Sequence, residues 1–181
     1  MRHAKWFACL FAVLWLAVAA EGETKHYALP DKTSLELSIP AGWQDEVKEG
    51  ESGTPPTIFL TPREGPRFQL LVTPIWRPRP EVPVASAEQI RQSVQRAADQ
   101  VKPQAAESFL PVQELTGAKG PGYYFSATDK APKPDQFKYL TQGMLLVGEL
   151  AVTFSILTND GQEKMRDAAL DMLKRAAQVK P

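Results

Sequence analysis

The amino-acid sequence predicts an α+β fold, in which an antiparallel sheet of about six to seven strands is packed by two amphipathic helices. Three observations predict this fold. Several segments alternate apolar and polar residues with the period of a half-buried strand, two segments carry an apolar stripe at helical spacing, and most links between strands are short. The predicted element order is β-β-β-α-β-β-β-β-α, and links this short join antiparallel neighbours.

Three strands precede the first predicted helix. Residues 35–39 alternate Leu, Glu, Leu, Ser and Ile, and the turn that begins at Pro40 stops them. Residues 57–61 and 67–76 form the next two strands, separated by the turn-forming segment PREGP. Residues 44–56 are polar and contain two adjacent prolines, so they are predicted to form a loop.

Helix signals mark two further segments. Ser86 and Gln89 form a capping-box pattern at the start of the first helix, and Pro103 ends it. Asp160 and Glu163 form a second cap signal, ahead of the final helix. The apolar stripe of the first helix contains Ala87, Ile90, Val94, Ala97, Ala98 and Val101, and that of the second contains Met165, Ala169, Met172, Leu173 and Ala176.

Four strands are predicted between the helices. Residues 112–116 and 122–128 form the first two, joined by GAKGP. A long hairpin follows, and its second arm is residues 150–157. Gly148 and Glu149 fit a two-residue turn between the arms of this hairpin.

One strand ends in a Pro-x-Gly-Trp pattern, in LSIPAGW from Leu37 to Trp43. This ending, together with a central helix, a meander of strands and a final helix after FSILTND, resembles PsbP-like and DcrB-like domains. The resemblance covers most of residues 27–178 and implies a sandwich of helices around an antiparallel sheet. It also implies a role in binding or assembly, because proteins of this superfamily mostly bind other proteins or assist assembly. The resemblance brings no catalytic motif with it.

The first 20 residues have the layout of a secretory signal peptide. Arg2 and Lys5 precede an apolar run over residues 6–18, and small residues follow up to Ala20. The run is shorter than the roughly 20 residues of a spanning helix, and an uncleaved N-terminal anchor is the alternative. We therefore expect residues 1–20 to be a signal peptide and residues 21–181 to be a single domain in the periplasm or outside the cell.

Side chains that carry chemistry are few beyond residue 20. The one cysteine, Cys9, lies inside the apolar run, which leaves residues 21–181 without disulfides, thiol chemistry or cysteine metal ligands. His26 is the one histidine beyond residue 20, and a loose terminal segment is expected around it. Neither a catalytic triad nor an ordinary zinc site can be assembled from a single histidine in such a segment.

Acidic and glycine-rich segments do not change this expectation. Asp45, Glu46, Glu49 and Glu51 lie close together in the predicted loop, but without the spacing of a calcium-binding loop. The glycines of residues 117–122 lead into a strand, whereas phosphate-binding loops lead into a helix. The chain has 21 basic and 21 acidic residues and no basic cluster, so nucleic-acid binding is not expected. We expect no catalytic residue, no metal and no cofactor.

The candidate contact surface is the proline-rich segment after the third predicted strand. Trp76 lies beside Arg77 and Arg79, and tryptophan and arginine are enriched in the energetically important centres of protein interfaces. Prolines hold this segment extended, which lowers the entropy lost on binding. The alternative interpretation is a stiff crossover from the sheet to the first helix, with the Trp76 ring tucked beneath it.

The sequence thus predicts an exported, non-catalytic protein-binding or assembly-assisting domain of the bacterial cell envelope. An immunity or accessory protein is one form of this function. The alternative is a carrier of a small molecule or lipid, with a pocket between sheet and helix. A hydrolase that uses only carboxylates is a third hypothesis.

Overall fold

The computed structural model describes residues 22–50, 54–77, 79 and 81–180, so the predicted signal peptide lies outside the described residues. Ten strands and two α-helices are found in this part of the chain. In chain order they are β1 (Glu23–Ala28), β2 (Ser34–Ile39), β3 (Trp43–Lys48), β4 (Thr57–Pro62), β5 (Gln69–Ile75), α1 (Ala87–Val101), β6 (Gln113–Glu114), β7 (Gly122–Thr128), β8 (Tyr139–Val147), β9 (Leu150–Thr158), α2 (Glu163–Arg175) and β10 (Ala177–Val179).

The strands form two antiparallel sheets. The large sheet has seven strands in the order β3-β4-β5-β9-β8-β7-β6, and the small sheet has the order β1-β2-β10. The predicted α+β class, the antiparallel pairing and the two helices are therefore confirmed. The small sheet was not predicted as a separate layer.

The elements stack in three layers. On one face of the large sheet, here called the inner face, α2 packs against β2 and β9, and the small sheet completes the cover. On the opposite face, here called the outer face, α1 packs against β7 and β8. The main core lies on the inner face, where Leu70, Val152 and Phe154 meet Met172 and Leu173, all at most 2% exposed.

Two local signals of the sequence act as predicted. Gly148 has φ +64, and Val147 lies opposite Leu150, so Gly148 and Glu149 form the two-residue turn between β8 and β9. At the start of α1 the Gln89 N–H donates to the Ser86 hydroxyl at 3.2 Å, and the Ser86 N–H donates to the Gln89 side chain at 2.7 Å. This reciprocal pair is the predicted capping box.

Three strands lie where the sequence analysis did not place them. Residues 44–48, predicted as part of a loop, belong to β3, an edge strand whose charged side chains are tolerated because one edge and one face meet solvent. His26 lies in β1, paired with β2, and not in a loose terminus. The three-residue β10 pairs with the other edge of β2, and its sequence is too short to show alternation.

The predicted cap of α2 is wrong. Asp160 does not cap the helix, because its carboxylate accepts hydrogen bonds from Lys138 at 2.9 Å and from the Tyr139 hydroxyl at 2.6 Å. Gln162 stands at the N-cap position and makes no side-chain cap bond there. Instead, the Gln162 side-chain oxygen accepts from the Asn159 backbone N–H, and its side-chain nitrogen donates to the Arg67 carbonyl. The helix is therefore positioned by tertiary contacts.

Candidate functional site

The predicted contact residues lie at the end of β5, near the β8–β9 turn. Trp76 is half-buried and packs against the main core. Arg77 donates to the Val82 carbonyl at 3.0 Å and forms an ion pair with Glu149 of the turn. Arg79 is exposed. Trp76 and Arg77 thus hold the proline-rich crossover onto the sheet, and of the three side chains Arg79 is the most available to a partner.

Glu149 joins the crossover to the end of the chain. It accepts a hydrogen bond from Lys180 at 2.8 Å in addition to its ion pair with Arg77. These two cations, with Lys180 the stronger influence, hold the pKa of the Glu149 carboxyl below its usual value. The network keeps the crossover close to the β8–β9 turn, which fixes where the chain passes from the sheet to α1.

Beside α1, no element of the described residues covers the outer face of the large sheet. On β4, β5 and β9 the residues that alternate with the core side chains point to this side, and they are half-buried or exposed. Ile75 is 39% exposed, while Phe59 and Leu71 are half-buried. We call this surface the open face. It consists of Thr57, Phe59, Thr61, Gln69, Leu71, Thr73, Ile75, Ala151, Thr153, Ser155 and Leu157.

None of the side chains of the open face is charged. A solvated sheet face commonly alternates charged and polar residues with the buried ones, whereas here hydroxyl groups and apolar groups share the surface. Depletion of charge is typical of the centre of a protein–protein interface. A surface without cations offers nothing to a phosphate backbone. In its lack of charge, the open face therefore resembles the centre of a protein–protein interface.

Charged residues and α1 border the open face. On the edge strand β3, Lys48 places its ammonium group 4.4 Å from the centre of the Phe59 ring. On the other side, a shallow cleft of about 80 Å³ separates α1 from the sheet and is lined by Ser93, Ala97 and Thr153, among others. The open face is therefore a ledge with a helix along one side and a charged strand along the other.

A second concave region lies on the inner face, at the end of the sheet opposite the β8–β9 turn. A cavity of about 200 Å³ lies there between the strand ends and the first turns of α2, lined by Glu107, Thr158 and Arg166, among others. The alternative hypothesis of a carrier requires a pocket between sheet and helix, and this cavity is lined by residues of β7, β8, β9 and α2. Its volume is below the roughly 300–1,000 Å³ of pockets for drug-sized ligands, and its lining is polar, so it does not suit a lipid chain.

Of the four acidic residues of the predicted loop, Asp45, Glu46 and Glu49 lie in the described part of the chain and Glu51 lies outside it. In the described part of the chain, no three His, Cys, Asp or Glu side chains are arranged to hold a metal. Asp45 instead joins β3 to β1, because it accepts from the Lys25 ammonium at 2.6 Å and from the Tyr27 hydroxyl at 2.9 Å. His26 lies 3.7 Å from Glu36 on the neighbouring strand and is more than half exposed.

Hydrogen bonds decide the ionisation of Asp45. Partial burial raises its pKa, but the bonds from Lys25 and Tyr27 outweigh that effect, so the pKa lies below its ordinary value. Burial and the same hydrogen bond raise the pKa of Tyr27. A carboxylate held in this way is a structural link between the two sheets.

The open face is not among the sites predicted from the sequence, although the strands that form it carry a recognisable pattern. The segments TIFLT, QLLVTPI and LAVTFSILT contain no charged residue on either face of their strands. That pattern is consistent with strands covered on both sides, and the resemblance to PsbP-like domains implied helices around the sheet. The uncovered surface becomes visible only once α1 is placed over β7 and β8.

Among the described residues, neither helix is both long and apolar enough to span a membrane.

Comparison with known proteins identifies the fold. No family model matches the chain, and no curated protein matches it in sequence. Among solved structures, cyanobacterial PsbP (CyanoP) from Synechocystis sp. PCC 6803 is similar, with a TM-score of 0.53 and 12% identity over 88% of this chain and 94% of that chain. LpqN of Mycobacterium tuberculosis, described as involved in cell envelope biogenesis, is similar with a TM-score of 0.52 and 11% identity over 87% of this chain and 91% of that chain. The chain therefore has a PsbP-like fold.

Proposed function

We propose that the protein is a non-catalytic binding or assembly-assisting domain that acts in the bacterial cell envelope after export. The open face carries this proposal. It is an uncharged surface of half-buried apolar and hydroxyl side chains, and burying such a surface against a partner removes apolar area from water without desolvating any charge.

The N-terminal sequence and a fold relative support the location. Residues 1–20 have the charged, apolar and small-residue regions of a signal peptide. LpqN, which shares the fold at low identity, is involved in cell envelope biogenesis. Fractionation of cells that express the full chain tests the location, and we expect the protein in the periplasm or the medium. Recovery of the whole chain in the cytoplasm would contradict it.

Site-specific photocrosslinking in living cells tests the binding surface. A photoreactive residue at Thr73, in the middle of the open face, should give a discrete crosslinked adduct. The same residue at Gln92, on the exposed side of α1, is the matched control and should give none. In a Ser155→Lys variant that stays folded, the adduct from Thr73 should disappear, because an unpaired charge would have to be buried at the interface.

Arg79 offers a second test of the predicted contact segment. Because its side chain is exposed, Arg79→Glu should leave folding stability unchanged, and it should weaken the adduct if the crossover extends the binding surface. Trp76→Ala is a poorer probe, since the ring packs on the core and its loss destabilises the fold. An adduct that forms equally at Thr73 and Gln92, or that survives Ser155→Lys, would contradict binding through the open face.

A further inference from the structure

The inner face of the large sheet changes character at the end opposite the β8–β9 turn. Near the turn its side chains are apolar, but at the far end the same face carries hydroxyl groups. The Ser126 and Thr141 hydroxyls lie 2.9 Å apart on adjacent strands. One position further, Thr128, Tyr139 and Thr158 form a row across β7, β8 and β9. A core-side surface rich in hydroxyls lines the polar cavity described above.

Thr158 has a hydroxyl group that the fold does not use. The residue is only 5% exposed, and none of the hydrogen bonds of the described residues involves its hydroxyl. No fully buried polar side-chain atom of the described residues lacks a partner, so this hydroxyl reaches the accessible surface of the cavity that Thr158 lines. A buried threonine whose polar atom points into a cavity is a hydrogen-bonding group available to a ligand.

Glu107 supplies a fixed carboxylate to the lining of the cavity, beside Thr128 of β7. Its carboxylate accepts from the Thr128 backbone N–H at 3.0 Å and from the Thr128 hydroxyl at 2.7 Å. Burial raises the pKa of Glu107, but these hydrogen bonds outweigh it and hold the pKa below its ordinary value. Each carboxylate oxygen can accept more than one hydrogen bond, so Glu107 keeps acceptor capacity toward the cavity.

Once the ion pair of Arg166 with Asp167 is taken into account, the net charge of the side chains that line the cavity is negative. Arg166 is the one cation among the lining residues, and its guanidinium donates to Asp167, with the shorter contact at 2.9 Å. Glu163 and Glu107 are the acids of the lining. Among the described residues neither forms an ion pair, although Glu107 accepts hydrogen bonds from Thr128. The wall thus combines two carboxylates that have no cationic partner with hydroxyl groups, which complements a ligand that carries an ammonium group and hydroxyls.

We propose that this cavity binds a small polyhydroxylated primary amine, between an amino alcohol and a single amino sugar in size. A volume of about 200 Å³ corresponds to roughly six or seven water molecules at about 30 Å³ each. The ammonium group binds Glu107, and the ligand hydroxyls bind Thr158 and its neighbours. This site lies on the opposite side of the sheet from the open face, so the inference does not depend on the proposed protein partner.

Nuclear magnetic resonance titration tests the site with two pairs of probes. Serinol and glucosamine carry the ammonium group, and glycerol and glucose are their counterparts with a hydroxyl in its place. We expect saturable shifts of the Thr128 and Thr158 amides with at least one amine. Its neutral counterpart should bind at least about tenfold more weakly. Saturation by serinol alone assigns an amino alcohol, and saturation by glucosamine assigns an amino sugar.

Two variants separate binding from folding. Glu107→Gln should weaken the amine about tenfold and leave the neutral probe unchanged, while Glu64→Gln, in the exposed turn after β4, is the control and should change neither. Thr158→Val should weaken the amine about threefold or more but leave stability unchanged or higher, because no hydrogen bond of the fold is lost. If Glu107→Gln does not fold, Glu163→Gln is used in its place. Glu163 is the second acid of the lining, on the exposed first turn of α2, and its loss should also weaken the amine selectively.

Three results would overturn the proposal. These are the absence of saturable shifts with both amines, equal affinity for amine and neutral counterpart, and a response of the carboxylate variants no larger than that of Glu64→Gln.

Discussion

The two halves of the outer sheet face differ in what lies over them. Under α1, Phe125 is completely buried and Ala127 is 5% exposed. On the open face, Leu71 and Phe59 occupy equivalent outward positions and are only half-buried. Both halves are poor in charge, so coverage by the helix, and not the composition of the strands, separates the buried half from the exposed one.

Simple dimensions explain the difference. A helix with its side chains is about 10 Å wide, and neighbouring strands lie about 4.8 Å apart, so one helix covers about two strands. α1 accordingly packs against β7 and β8. On the inner face, α2 and the small sheet together cover the large sheet. The large sheet is wider than its single outer helix, so it leaves the uncharged open face as a surface suited to a partner.

The largest expected effect comes from removing one ring in each half. Phe125→Ala should lower the free energy of unfolding by about 3–5 kcal/mol, because a fully buried ring leaves a cavity. Phe59→Ala should cost only about 1 kcal/mol, since the ring is half-buried and loses chiefly its contact with Lys48. Urea denaturation measures both. Equal losses would mean that the open face is covered as well as the half beneath α1.

A smaller effect is expected on the inner side of the edge strand β3, where Asp45 binds the small sheet. Asp45→Asn should lower the free energy of unfolding by about 1–2 kcal/mol at pH 7, because Asp45 loses charge-assisted bonds to Lys25 and Tyr27. The folded pKa of Asp45 is lowered, so its contribution is fully present above the unfolded value of about 3.9 and is lost as the pH falls through the folded value.

Denaturation at several pH values checks this sign. The difference between wild type and Asp45→Asn should shrink below about pH 4. Glu46→Gln, on the neighbouring and more exposed position of β3, is the control and should change little at any pH. A difference that grows on acidification would contradict the assigned role of Asp45.

The smallest effect concerns the helix that covers one half. Ser86→Ala removes the capping box of α1 and should cost about 1 kcal/mol. Hydrogen exchange should show faster opening at the start of α1 and in β7, with the amides of β4 unchanged. Faster exchange in β4 as well would show that the two halves open together and are not independent.

Local patterns were enough to predict most of the fold. Alternation gave β2 and β9, the Ser86–Gln89 pair marked the start of α1, and Gly148 marked the hairpin turn. These features depend on neighbours in sequence. The PsbP-like resemblance, based on the Pro-x-Gly-Trp pattern between β2 and β3 and on the order of elements, predicted the fold that the structural comparison supports.

What the sequence did not reveal depends on distant contacts. β3 was not predicted as a strand because its sequence is charged, which an edge strand tolerates. Asp160 has the sequence position of a helix cap, but its carboxylate accepts hydrogen bonds from Lys138 and Tyr139. The open face and the polar cavity likewise require the positions of α1 and α2 over the sheet. Trp76, Arg77 and Arg79 were predicted as a contact surface from their residue types beside a proline-rich segment, but the sequence did not show that Arg77 pairs with Glu149.

Affinity for the crosslinked partner, measured with the purified proteins, tests the central claim most directly. Leu71 lies at the centre of the open face, between Phe59 and Ser155, and Gln92 lies on the exposed side of α1. We predict that Leu71→Lys weakens binding at least about tenfold while Gln92→Lys changes it less than about twofold, with both variants folded. Equal affinities for the two variants, or a larger loss with Gln92→Lys, would contradict the claim that the uncovered half of the sheet is the binding surface.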